Sequence, residues 1–517
     1  MQEGCRMDMQ LIRESIELEQ PLGTGRSHAQ VEGEVTLPGG LREETRVLAA
    51  HAMAIAEGAE ALQDRASVSG RVVFHVLYTQ GDPTKINAIE ASADFTHLCE
   101  LPGSQPRAKV TPQVQVERVE ARGSGGRLMM KAVITVLTRA VLDSPVEAVV
   151  GVNGTDDAEL KTQETVHLRT VAQGGGDVLL REEFELPASL QITDTLYATA
   201  VPKLTETTGG LGRIGLNGSV TLEAVHASSL PGRPLVITRH SFPFIQSVEA
   251  AGEEGEKLDG CVTVKDVAVA SQEMGDGQRT LRAEVLLGLQ GWANREETIR
   301  LMTDAYTTQG EDLRPVSREL TCRRGDQRSQ TAETAKLTLH LPDSAPPVRT
   351  MLAAFVNPVM TETEQTAGRL TVTGVMQTTL LYMTDDSQTP VSVHQEAPFR
   401  VTFAAQADDA ALLTLTAEEA EALPVTSDRV ELRCILRLNV DGAVAQPLQL
   451  VTDVQCVPAE KPTEDIVLYF VQPGETLWDI ARRYRLPVGS VQALNPELTD
   501  EPRTGQGIVV WRRSAAQ

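Results

Sequence analysis

Three landmarks recur in a fixed order three times along these 517 residues, and no other feature restricts the fold as much. Leu37-Pro38, Leu186-Pro187 and Leu341-Pro342 come first. Gly70, Gly218 and Gly374 follow the leucines at offsets of 33, 32 and 33, and Phe95, Phe244 and Phe399 follow those glycines at 25, 26 and 25. The units repeat at about 150 residues, an ordinary domain size and too long a period for a solenoid. The division this predicts is one domain over 1–152, a second over 153–305 and a third over 306–457. A linker over 458–464 and a small module over 465–513 follow.

The stretch after each glycine reads as a strand. Val72, Phe74, Val76 and Tyr78 alternate along one face, as do Val220, Leu222, Ala224 and His226, and Met376, Thr378, Leu380 and Tyr382. The other face is more polar, with Arg71 and His75, then Ser219, Thr221 and Glu223, then Gln377 and Thr379. Period-2 alternation with one apolar face predicts antiparallel sheets packed on one side. His226 stands where the other units have tyrosine, so it is expected to fill the same slot as a ring rather than as a ligand. Each unit is expected to close on a long hairpin, with turns at 123–126, at 275–277 and at Asp441-Gly442, where glycine supplies the positive φ of a tight turn. Gly174-Gly175-Gly176 reads as a flexible turn, and Ala417–Leu423 as a candidate helix. The fold class expected is mainly β: three tandem antiparallel β-rich domains followed by a small α+β domain.

That last module reads strand, helix, helix, strand. Ile466–Val471 is an apolar, β-prone run ending at the turn signal Pro473-Gly474. Thr476 can cap a helix with Asp479 reaching back to it, and Leu477, Ile480, Ala481 and Tyr484 recur at helical spacing. Pro487 opens a second helix, Asn495-Pro496 stops it, and Ile508–Trp511 supplies the closing strand. The run V-Q-P-G-E-T-L-W-D-I-A-R-R-Y, then V-Q-A-L-N-P, then T-G-Q-G-I-V-V-W resembles the LysM family, whose members bind N-acetylglucosamine-containing glycans or, in some cases, proteins. The resemblance implies a ligand groove between two loops. Its candidate residues are Gly474, Glu475, Thr476 and Leu477 on one side, and Asn495, Pro496, Glu497 and Leu498 on the other. Trp478 sits among core-spaced positions and is expected to fill the module's interior.

Charge narrows the partners. The formal net charge is −24, and residues 466–517 are near +1, so the rest is strongly acidic. Such a polyanion is repelled by phosphate backbones and anionic lipid, which sets nucleic acid aside. It leaves Arg482, Arg483 and Arg485 as a candidate contact for an acidic protein, or as the solvated face of a short helix. The opening residues have no apolar core segment of a secretion signal, and no run approaches the ~18 apolar residues of a membrane span. Six scattered cysteines without a C-x-x-C pair predict reduced thiols rather than a zinc site or a disulfide framework.

No reaction chemistry stands out. The nine histidines are dispersed, with no H-E-x-x-H and no H-x-H pair. The run 212–218 lacks the lysine of a phosphate loop and reads as a connecting loop. There is no G-x-S-x-G elbow, and nothing in the spacing selects an acid/base pair among the carboxylates. The expectation is a protein without catalytic residues, metal or cofactor.

Three β-rich units ahead of a LysM-like tail, with the opening I-R-E-S-I-E-L and V-E-G-E-V-T-L-P, resemble the SPOCS-domain proteins of spore-forming bacteria, of the SipL spore coat assembly type. The resemblance implies a non-catalytic adaptor in the mother-cell cytoplasm, at the forespore or spore coat surface. It would dock through its LysM domain onto the coat-basement ATPase or another coat protein. The alternative expectation is a cell-wall protein whose LysM domain binds peptidoglycan or a chitin-like glycan. A wall hydrolase would need an acid/base or metal constellation in the repeats.

Overall fold

A computed structural model describes residues 9–38, 45–124, 126–154, 157–210, 212–251, 253, 255–274, 278–385, 389–408, 410–458 and 466–511. The first unit is built from β1 (Gln10–Thr36), β2 (Thr45–Leu62), β3 (Arg65–Gln80), β4 (Asp82–Glu100), β5 (Lys109–Ser124) and β6 (Arg127–Asn153). The second repeats the plan with β7 (Ala158–Leu186), β8 (Ile192–Gly210), β9 (Arg213–Leu230), β10 (Arg233–Glu249), β11 (Lys257–Glu273) and β12 (Arg279–Thr307). The third has β13 (Asp312–His340), β14 (Thr350–Thr366), β15 (Arg369–Met383), β16 (Val391–Phe403), β17 (Leu412–Thr426) and β18 (Arg429–Val457). Each unit forms two three-stranded antiparallel sheets. In the first their strand orders are β1-β6-β5 and β2-β3-β4, in the second β7-β12-β11 and β8-β9-β10, and in the third β13-β18-β17 and β14-β15-β16.

The two sheets of a unit enclose its core. Val72, Phe74, Val76 and Tyr78 of β3 pack with Leu128, Met130, Ile134 and Val136 of β6. The corresponding strands β9 and β15 bury all four of their alternating residues as well, Thr378 included. His226 fills the tyrosine slot, its ring nitrogens 2.9 and 2.8 Å from the hydroxyls of Thr195 and Thr238.

The recurring glycine and phenylalanine are register partners: Gly70 opposite Phe95, Gly218 opposite Phe244, and Gly374 opposite Phe399. On its other side each glycine faces a β-bulge. A Cβ on Gly70 would lie 2.1 Å from the Ile55 carbonyl oxygen and 2.8 Å from the Phe95 ring. Gly218 and Gly374 repeat this against Lys203 and Val359. The landmark triplet therefore encodes one steric device, in which a bulge carbonyl and a ring converge on a bare backbone.

Several loop and helix expectations are corrected. Asp441-Gly442 is not a turn: it lies inside β18, and the last hairpin turns between β17 and β18 instead. Gly174-Gly175-Gly176 lies inside β7, where a Cβ on Gly174 would come within 2.0 Å of the Glu249 carbonyl oxygen. The run 212–218 enters strand β9 at Arg213. Ala417–Leu423 is strand rather than helix, because pairing with Leu432 and Leu436 of β18 overrides the helix propensity of its alanines and glutamates. A bulge there puts Glu419 at φ +51°. The predicted turn at 275–277 and nearly all of the linker fall outside the described residues.

The sheets are not packed on one face alone. Leu77, Val225 and Leu381, from β3, β9 and β15, share one cluster with Leu48, Tyr197 and Ala353, so the middle sheets of all three units meet. The long pairs β1·β6, β7·β12 and β13·β18 run past their own units into a common stem. Leu18, Ala148, Leu301 and Leu448 form one apolar layer of it, and Val152, Met302, Ala305 and Val454 another. Charge is built into the same axis. Arg139, Trp292 and Asp441 hold corresponding register positions, opposite Thr24, Gln173 and Arg328. Asp441 accepts from Arg139 at 3.0 Å and from Arg328 at 2.7 Å, while Arg328 also reaches Asp259 and lies 4.2 Å over the Trp292 ring. Nearby, Arg323 binds Glu19 of the first unit, Asn294 and Thr170 of the second, and Asp326 of its own. One repeated position has thus diverged into complementary partners that tie three units together.

Cys99, Cys261, Cys322 and Cys434 are free thiols, Cys261 exposed and the others buried, and burial raises Cys434 to about 11. Cys456 is disulfide-bonded, against the expectation of reduced thiols throughout. Sequence spacing alone does not pair distant cysteines.

Candidate functional site

The C-terminal module consists of β19 (Ile466–Phe470), α1 (Leu477–Tyr484), α2 (Val488–Leu494) and β20 (Gly507–Trp511), with β19 and β20 paired antiparallel. Thr476 caps α1. Its hydroxyl accepts from the Asp479 N–H at 3.3 Å, and the Thr476 N–H donates to the Asp479 carboxylate at 2.9 Å. Gly474 takes a positive φ of 81° at the turn after β19. The turn 504–506 is tied to the end of β19, the Gly505 N–H donating to the Val471 carbonyl at 2.8 Å. Leu477, Ile480, Val491, Leu498, Ile508 and Val510 fill the interior.

The eight candidate loop residues divide by role. Leu477 and Leu498 are core residues. Asn495 is a buried staple: its amide donates to the Val491 and Val509 carbonyls at 2.9 and 2.8 Å, and its oxygen accepts from the Val509 N–H at 2.8 Å. Glu475 closes its own loop, accepting from the Tyr469 hydroxyl at 2.7 Å and the Gln472 N–H at 2.9 Å and pairing with Arg483. Burial works to raise its carboxyl, but those hydrogen bonds and the Arg483 charge hold it below the usual range. Thr476 is the helix cap. Gly474, Pro496 and Glu497 stay exposed. The two loops share one side of the module, since the Leu477 N–H donates to the Asp500 carbonyl at 3.0 Å.

Two of the three arginines, Arg482 and Arg485, turn toward the stem, because the end of β12 supplies their acceptors, whereas Arg483 is exposed and pairs within the module with Glu475. Asp304 accepts from Arg482 and, at 2.8 Å, from the Trp478 indole. Arg485, held at φ +56° at the end of α1, is buried and donates to Thr307 O at 2.9 Å, Thr307 Oγ1 at 2.7 Å and Gly310 O at 3.0 Å. Arg483 stacks 5.2 Å over Tyr469. Tyr306 of β12 is itself part of the module's core: it meets Trp478 edge-on at 4.9 Å, and its hydroxyl donates to Leu486 O at 2.7 Å. Sequence reading placed Trp478 correctly in an interior, but the partners Asp304 and Tyr306 lie more than 170 residues upstream and left no local signal.

In the body, a cavity of about 430 Å³ lies between the first and third units. Its polar lining is engaged: Glu117 accepts from Thr135 and faces His28 Nδ1 at 3.2 Å, and Gln115 caps the Leu415 carbonyl at 2.6 Å. Among the described residues no group of three or more His, Cys, Asp or Glu side chains is arranged to hold a metal ion. No helix among them is long and apolar enough to cross a membrane.

These features define a repeat-built β protein that carries a small strand-helix-helix-strand binding module clamped to its stem. Comparison with known families makes the assignment specific: the chain carries a SipL-type SPOCS domain, matched over residues 45–122, and a LysM domain, matched over residues 469–511. The first match covers β2, β3, β4 and most of β5 of the first unit. No curated protein and no solved structure matches the chain. The two domains mark a sporulation-related protein with a glycan-binding type of module.

Proposed function

We propose that this chain is a non-catalytic adaptor in spore coat assembly, acting in the mother cell at the forespore surface. It presents its LysM loops to a coat-basement ATPase or another coat protein. The observation that carries this reading is the clamp between module and stem: Tyr306, Asp304 and Thr307 hold Trp478, Arg485 and Leu486, in and just after α1, against the stem. A preorganised site spends less binding energy on ordering itself, and several linked surfaces raise effective concentration during shell building. With Arg482 and Arg485 turned to the stem, the search for a partner surface centres on Gly474, Pro496 and Glu497, with the exposed Arg483 on the same module.

Those three exposed residues also favour a second reading, in which the module binds peptidoglycan. Co-purification of the full chain with purified coat proteins, alongside sedimentation with purified sacculi, separates the two. The adaptor reading expects a coat protein to be retained and sacculi to leave the chain in the supernatant. Pro496→Asp with Glu497→Arg abolishes whichever interaction is real while leaving the buried contacts intact. Retention of no coat protein, with tight sedimentation on sacculi, overturns it.

A further inference from the structure

Two imidazoles are stacked inside the junction of the units, away from the LysM loops. His51 of β2 and His75 of β3 are register partners with ring centroids 6.3 Å apart. Tyr197 of the second unit covers His75 at 4.8 Å, its ring nearly parallel. His75 and Tyr197 are buried, beside the cluster of Leu48, Leu77, Val225 and Leu381 in which all three middle sheets meet. His51 and Tyr197 also line a small cavity closed by Phe355 and Ala417 of the third unit. Nδ1 of neither imidazole has a hydrogen-bond partner. Neutral rings tolerate this arrangement, whereas a charged ring there meets apolar surface and a second imidazole.

We propose that the His51–His75–Tyr197 stack is an acid-sensitive latch: proton uptake by either imidazole loosens the seam between the first and second units while each unit keeps its own core.

The surrounding charges do not rescue an imidazolium. Glu90 of β4 brings a carboxylate to 3.4 Å from His75 Nδ1. Burial, and then Asp266 of β11, raise that carboxyl, with Arg71 acting against them. Arg71 of β3 is engaged by Glu57 of β2 and by the Lys265 carbonyl, and Lys265 by Asp177 of β7. Across the seam, Glu223 of β9 is held by Arg239 of β10. On β17, Glu418 is held by Arg437, and Glu419 lines the cavity. Burial first, and His51 second, push His75 down to about 3 from an ordinary 6.5, and burial lowers His51. The stability that neutral imidazoles contribute is therefore present above about 6.5 and is lost as the pH falls toward 3.

Hydrogen exchange of the full chain at pH 7.5 and 5, corrected for intrinsic rates, tests the latch. The expected result is a loss of protection on the order of tenfold or more in β2 and β8, with residues 128–136 of β6 unchanged. His51→Phe with His75→Phe removes that pH dependence. Equal protection at both pH values, or the same loss in the double variant, overturns the proposal. Slow exchange of the imidazole C2 proton in the unmodified chain gives a readout that needs no variant. A midpoint for His75 well below 6.5 is expected, and a midpoint at or above 6.5 overturns the latch.

Discussion

Gly218 has no room for a methyl group, and that fixes what a substitution there does. A Cβ would meet the Lys203 carbonyl oxygen at 2.2 Å and the Phe244 ring at 2.6 Å, both inside a sheet. Gly218→Ala should cost about 1–3 kcal/mol, in the range of overpacked sites, read as a lowered denaturation midpoint. Gly176, in the neighbouring sheet, has nothing within 4 Å of the same ideal atom, so Gly176→Ala should stay within about 0.5 kcal/mol. A second residue-scale prediction concerns the stem. Asp441→Ala strands Arg139 and Arg328, and removing one partner of a buried ion pair costs about 3–5 kcal/mol. The Asp441 carboxyl is pushed up by burial but held below its ordinary 3.8 by Arg139 and Arg328. With the folded value depressed, its contribution is present above about 3.8 and lost as the pH falls through the folded value. Acid titration of unfolding should therefore show a phase below pH 4 that is missing in the Asp441→Ala variant.

Elements with a local cause were legible in the sequence, and elements with a distant cause were not. The alternating strands after each landmark glycine could be read because burial repeats with period 2 within one strand. The Thr476 cap and the Asn495-Pro496 stop could be read because their chemistry acts within a few residues. The last hairpin was misplaced because Asp-Gly is a turn signal wherever nothing contradicts it, and what contradicts it is Arg139, some 300 residues away. Ala417–Leu423 reads as helix for the same reason, since its strand state depends on β18. The LysM loops were located in the sequence, but Asn495 and Glu475 turn out to serve the fold. Asn495→Ala removes one hydrogen bond to the Val491 carbonyl of α2 and two to Val509 of β20, and leaves buried backbone groups unsatisfied. A loss of about 1–3 kcal/mol and faster amide exchange in β20 are expected, so a binding defect in that variant would be an unfolding effect.

At the scale of the whole molecule, the three units and the module behave as one assembly. Tyr306 belongs to β12 by sequence and to the module's core by packing, so Tyr306→Ala should cost about 3–5 kcal/mol, as large aromatic truncations do. It should also loosen the module, read as faster amide exchange in β19 and β20 than in the parent chain. The packing of the units could not be foreseen from the repeats. Pseudo-equivalent positions are identical in role only inside a unit, and at the stem they have diverged into Arg139, Trp292 and Asp441. The adaptor account is tested most directly by imaging a fluorescent fusion of the full chain in sporulating cells, beside the Pro496→Asp, Glu497→Arg variant. The account predicts a shell of signal around the forespore that the variant loses while remaining folded. A diffuse or septal signal from the parent chain, or an undiminished shell from the variant, would contradict it.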